Sequence, residues 1–151
     1  MTHNIRRATI GVLLAVISTT GGVLASSAAG GSGSVVLGSA EFAKPDGEGW
    51  GSAQPARVYN GGDPSGLVTE IHWTSWGRST AIGYGLNSIF KPGGGYYSRP
   101  VIVELRAQGL GHCGSRPAYT QLTIRGPSKP EGQFGSWHLW SEAKSLCRFG
   151  F

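Results

Sequence analysis

Four stretches of the chain alternate apolar and polar residues with a period of two, the signature of half-buried strands. In 66–76, Leu67, Thr69, Ile71 and Trp73 fall on one face, and Val68, Glu70, His72 and Thr74 on the other. In 80–89, Thr80, Ile82, Tyr84 and Leu86 oppose the small residues Ala81, Gly83 and Gly85. In 100–107, Val101, Val103 and Leu105 point inward, and Ile102, Glu104 and Arg106 outward. In 118–125, Thr120, Leu122 and Ile124 point inward, and Tyr119, Gln121 and Thr123 outward. Shorter strands are predicted at 35–42, 57–59 and 134–140, while 141–147 reads equally as a helical turn or a strand. Clusters of Gly, Pro, Asn, Asp and Ser at 44–56, 60–66, 77–79, 91–98 and 126–132 mark turns and loops. No amphipathic helix emerges. The pattern predicts an all-β fold: a single antiparallel β-sandwich or small barrel-like domain of six to eight strands.

The bare face of 80–89 is a local problem. Glycine inside a strand weakens it unless something packs over the exposed backbone. Trp73 and Trp76 lie just across the 77–79 turn, and an aromatic ring laid over strand glycines is a known remedy. An indole from 73–76 is therefore expected to cover Gly83 and Gly85.

Composition adjusts the picture in two ways. Of 151 residues, 26 are Gly and 8 Pro, a level that approaches disorder. Five Trp, five Tyr and five Phe, all beyond residue 41, argue instead for an aromatic-cored domain. The first 29 residues have the layout of a secretory signal peptide. Arg6 and Arg7 precede the apolar run Ile10–Ile17, and small residues follow, with cleavage expected after Ala25 or Ala29. Residues 30–56 then form a flexible N-terminal segment carrying the first strand, and 57–151 the β domain. The expected location is extracellular, with no membrane contact once the leader is removed.

Export makes Cys113 and Cys147, the only two cysteines, a disulfide. Net charge is +5 over the whole chain, two units of it in the leader, and the remaining cations are scattered. That excludes the dense basic footprint of a nucleic-acid binder.

Catalytic chemistry has little to build on. Glu70 and His72 share a strand face, yet Ser75 falls on the opposite one, and no nucleophile-elbow motif occurs. His112 and His138 stand apart, no spacing suits a metal, and no cofactor is implied. Aromatics beside loops offer more, because rigid rings bury large areas at little entropic cost. Tyr96, Tyr97, Trp137 and Trp140 are the candidate ligand-binding residues, with an extracellular glycan or protein as partner. A small secreted hydrolase, or an inhibitor acting through the 90–98 loop, is the alternative.

The run Ile71-His72-Trp73-Thr74-Ser75-Trp76-Gly77, the small residues Ala81, Gly83 and Gly85, the strand Val101–Leu105, Cys113-Gly114 and Ala118-Tyr119-Thr120-Gln121-Leu122 together resemble small secreted proteins of actinobacteria, a group without an established activity. The resemblance spans 57–125. It implies export and a β domain and transfers no catalytic residue.

Overall fold

The computed structural model describes residues 34–148; the leader expected at 1–29 lies outside the described residues. The chain is all-β. Strands β1 (Val36–Leu37), β2 (Val58–Tyr59), β3 (Leu67–Thr74), β4 (Ala81–Asn87), β5 (Val101–Cys113), β6 (Arg116–Arg125) and β7 (His138–Leu139) are joined by loops and two single 3-10 turns, Pro64–Gly66 and Trp140–Glu142. All seven strands belong to one sheet, ordered β1-β6-β5-β4-β3-β2, with β7 also on β6. Of the two architectures expected, the strands take the barrel-like one, a single curled half-barrel; the antiparallel expectation is corrected, because β1 runs parallel to β6 and the sheet is mixed.

The curl brings the edge strands β1 and β2 within reach of a shared segment. Leu37 exchanges backbone hydrogen bonds with Gly51 and Ser52, at 2.8 and 2.9 Å, on one side of it. On the other side Glu48 exchanges a pair with Tyr59, at 3.0 and 3.1 Å. Residues 48–52 thus satisfy backbone groups that an open sheet would leave bare. The N-terminal segment also supplies Leu37, Phe42, Ala43 and Trp50 to the core. Indole N–H groups pin it in place: Trp50 donates to Tyr59 O, Trp73 to Pro55 O and Trp76 to Val35 O, at 2.8–2.9 Å.

The face carrying Ala81, Gly83 and Gly85 is covered, by the expected indole at Gly83 and by aliphatic side chains instead at Gly85. A Cβ placed on Gly83 would lie 2.8 Å from Trp73 Cε3 and 3.1 Å from Ile71 Cγ2. One on Gly85 would meet Val68 Cγ1 at 2.6 Å. Val68, Ile71 and Trp73 therefore share the inner side, which strict alternation forbids. The reason is a β-bulge: the β3–β4 register shifts between Thr69 and His72, with Glu70 in the left-handed region at φ 53°. The extra residue turns Val68 inward and leaves Glu70 and His72 exposed.

Other boundaries also move. β5 runs beyond the expected 100–107 to Cys113 and turns over Gly114-Ser115 into β6. Only His138–Leu139 of 134–140 pairs as strand, and only Val36–Leu37 of 35–42. Residues 141–147 form neither a helix nor a strand beyond the 3-10 turn. Tyr119, expected outward, is fully buried. Its ring meets Trp76 edge-on at 5.1 Å; its hydroxyl accepts from Gly77 N and donates to Arg78 O, at 2.9 and 2.6 Å. Burial pushes that phenol's pKa up, only partly opposed by the Gly77 N–H.

The Cys113–Cys147 disulfide is formed, closing a separation of 34 residues. Beside it Leu146 is fully buried, its backbone bonded to Thr120 O and Ser39 N.

Candidate functional site

One end of the half-barrel opens into a cleft of about 380 Å³. Its apolar depth is Val103 of β5 and Ile124 of β6, both buried. One wall comes from the β2–β3 connection and the end of β4, through Asn60, Gly66, Asn87 and Ser88. The opposite wall is Pro127, His138 and Trp140. Phe90 stands at the rim.

Hydrogen bonds fix these walls. The Trp140 indole N–H donates to Asn60 Oδ1 at 2.6 Å, joining residues 80 positions apart. Asn60 N donates to Gly66 O. The Asn87 amide, 7% exposed, donates to Ser65 O and Leu67 O at 2.9 and 2.7 Å, locking β4 to the start of β3. Among the described residues no Asp, Glu, Lys or Arg lines the cleft. What it offers a ligand is amide and hydroxyl groups, one imidazole, and aromatic and aliphatic surface.

The four aromatics singled out from the sequence do not form one platform. Trp140 lines the cleft but is only 4% exposed, so little of its ring is open to a ligand. Tyr96 is half-buried behind Phe90, the rings stacked at 4.4 Å, and residues 90 and 96 pair across the glycine turn. The Tyr96 hydroxyl is shut from solvent near Asp63 and Ser65. Burial first, then Asp63, raises the phenol's pKa; the Ser65 hydroxyl, then Tyr96, hold the Asp63 carboxyl below its usual range. Tyr97 is half-buried too, its backbone N–H bonded to Ile89 O. Phe90, 54% exposed, is the ring left open, and it was not singled out. The available signal was its position: an aromatic at the end of a strand, directly before Lys91-Pro92-Gly93, where no inward register remains.

Trp137 lies on the other side of β7, over the outer face of β5 and β6. The Arg106 guanidinium sits 3.9 Å from its ring centre and that of Arg125 4.7 Å. Arg125 also pairs through Nε and Nη2 with Glu104 Oε2, at 2.6 and 2.5 Å, and Tyr84 donates to Oε1 at 3.3 Å. These groups form a cross-strand row, His72–Tyr84–Glu104–Arg125, each directly opposite the next. The row answers the question of a carboxylate-oriented histidine: Tyr84 stands between His72 and Glu104, and Glu104 is engaged by Arg125.

Among the described residues no group of three or more His, Cys, Asp or Glu is placed to hold a metal ion. Nor is any described helix long and apolar enough to cross a membrane. No protein-family model, curated protein or solved structure matches the chain.

Proposed function

We propose that the protein is an exported binding module that seats the uncharged sugar rings of a glycan in the cleft between Phe90 and Trp140. The observation that carries this reading is the lining itself: about 380 Å³, with no Asp, Glu, Lys or Arg among the described residues, amides in its wall and the open Phe90 ring at its rim. That volume is of ligand-pocket size. A sugar ring presents hydroxyls to amide donors and acceptors and an apolar face to an aromatic ring. Phe90, braced from behind by Tyr96, supplies such a ring at small entropic cost. The disulfide and the leader pattern support an extracellular setting.

The hydrolase alternative is less well served by the same lining. Glycoside hydrolysis needs two carboxyl groups flanking the scissile bond, and the cleft offers none among the described residues.

The test is a glycan-binding screen of the purified protein followed by titration of hits by calorimetry. Phe90→Ala should weaken binding roughly tenfold with little change in stability, since Phe90 is exposed. Ser88→Phe should fill the cleft mouth and abolish binding. Hits whose affinity ignores both substitutions would refute the reading.

A further inference from the structure

The cleft is neutral, but its wall is one residue thick on the β7 side. His138 lines the cleft, while Trp137, its immediate neighbour, faces two arginines on the outer surface of β5 and β6. The two arginines are not equivalent. Arg125 is neutralised by Glu104, the ion pair described above. Arg106 has no such partner: among the described residues its guanidinium makes no ion pair and no hydrogen bond, and it sits 3.9 Å from the centre of the Trp137 ring.

That arrangement is unusual in what it leaves undone. A guanidinium carries five N–H donors in a planar fork. Laid against an indole it loses mobility, yet its donor edge stays available. Arg106 is also half-buried, so part of its hydration is already gone. A fork held beside an aromatic ring with its donors unpaired can receive a carboxylate or sulfate through two parallel hydrogen bonds. Local charge favours the same occupant, since Arg106 and Arg125 share one indole and only Glu104 offsets them.

We infer that the ligand is an acidic polysaccharide, its sugar rings seated in the cleft and an anionic group, carboxylate or sulfate, held by Arg106 across the β7 rim. This rests on the glycan-binding reading of the cleft and extends it to a charged substituent. β7 makes the two contacts compatible: it presents Trp137 outward and, through the turn that follows, Trp140 toward the cleft. A ligand longer than one ring that leaves the cleft past His138 meets the Arg106 fork next. A polysaccharide is favoured over a nucleic acid because the cations beyond this pair are scattered and the cleft has no charged residue to track a phosphate backbone.

The experiment uses one neutral backbone with and without anions: dextran, carboxymethyl-dextran and dextran sulfate, with oligo(dT) as a polyanion of another class. Affinity is measured for the parent, Arg106→Gln, Arg106→Lys and Ser88→Phe, each shown folded by its thermal transition. The parent should bind an acidic dextran at least tenfold more tightly than plain dextran, and the advantage should fall with added salt. The two acidic polymers show whether carboxylate or sulfate is preferred. Arg106→Gln should remove the advantage and leave the weaker dextran binding intact; Arg106→Lys, which keeps the charge without the fork, should restore less than half of it.

The inference is overturned if Arg106→Gln binds the acidic dextrans as the parent does. It is also overturned if plain dextran binds equally well, or if oligo(dT) binds as tightly with the same dependence on Arg106. Should Arg106→Gln fail to fold, the salt dependence and the dextran comparison on the parent decide alone. Loss of acidic binding in Arg106→Gln with no effect of Ser88→Phe on any polymer would refute the cleft reading. An effect of Ser88→Phe alone would refute the role of Arg106.

Discussion

Gly83 is a position where an added side chain meets a ring that is itself held in place. Its backbone is not in the left-handed region, so an added methyl group meets no conformational penalty and the cost is steric. A Cβ there would stand 2.8 and 3.0 Å from Trp73 Cε3 and Cδ2, and 3.1 Å from Ile71 Cγ2. The indole cannot simply lift away. Its N–H is bonded to Pro55 O at 2.9 Å and its far side meets Trp76 edge-on at 4.9 Å. Overpacking of this kind costs about 1–3 kcal/mol. Losing the Pro55 bond would add about 1 kcal/mol. Against this, replacing glycine restricts the unfolded chain and returns about 0.4–1 kcal/mol. Gly83→Ala should therefore destabilise by about 1 kcal/mol and Gly83→Val, with two further methyl groups, by about 2–3 kcal/mol. Urea unfolding followed by tryptophan fluorescence measures both. The mechanism is isolated by repeating Gly83→Ala in a Trp73→Leu background, where the ring is gone and the substitution should become nearly neutral. A Gly83→Val variant as stable as the parent, or the same loss in both backgrounds, would refute the packing argument.

Three further outcomes follow from the same structure. Tyr119→Phe strands Gly77 N–H and Arg78 C=O and should cost about 1–3 kcal/mol by urea unfolding. Because the folded-state phenol pKa is raised above its unfolded value of about 10, Tyr119 adds stability that is complete below that pH and lost as pH climbs through the raised value; Tyr119→Phe should flatten the decline above pH 10, and an unchanged slope would count against it. Glu70→Gly relieves a φ of 53° at the bulge and should leave stability equal or raise it by up to about 1 kcal/mol, whereas Glu70→Val should lower it; equal stability of the two would show that the bulge relaxes in solution. Reducing the Cys113–Cys147 bond should cost about 2–5 kcal/mol, and a denaturation midpoint indifferent to reductant would contradict that.

What the sequence made legible followed the period-two pattern. The inward faces of β4, β5 and the end of β6 emerge from alternation alone, and so does the need for an indole over Gly83. Alternation fails where the backbone adds a residue without a mark. Glu70 carries no glycine to advertise a left-handed turn, so Val68 was placed on the wrong side. It fails again where coverage comes from outside the ladder: Tyr119 is buried by Trp76 and β1, partners that its own strand pattern cannot show. The alternation stops at Ala107, yet β5 runs on to Cys113, and Gly109 lies close against β6. A Cβ on Gly109 would stand 2.7 Å from Thr120 Oγ1. The cleft was legible only in part. Trp140 stands out as an aromatic near the end of the chain, but its partner Asn60 is 80 residues away, in a stretch that reads simply as a turn.

The far edge of β6 shows why the last quarter of the chain matters to the site. That edge is covered by three short pieces in succession. β1 pairs Ala118–Tyr119, Leu146 bonds Thr120 O, and β7 pairs Thr123–Ile124. Each piece is too short to hold its place by ladder bonds, so each must be fixed by something else. Residues 51–52 fix β1, and the disulfide fixes Leu146. For β7 the restraints are two tryptophans at its ends, Trp137 against Arg106 and Arg125, and Trp140 bonded to Asn60. The same side chains that hold β7 are therefore those that shape the cleft and the outer cationic surface. If Trp137 alone is loosened, the two ladder pairs of β7 and the Trp140–Asn60 bond remain to hold His138 and Trp140 at the cleft.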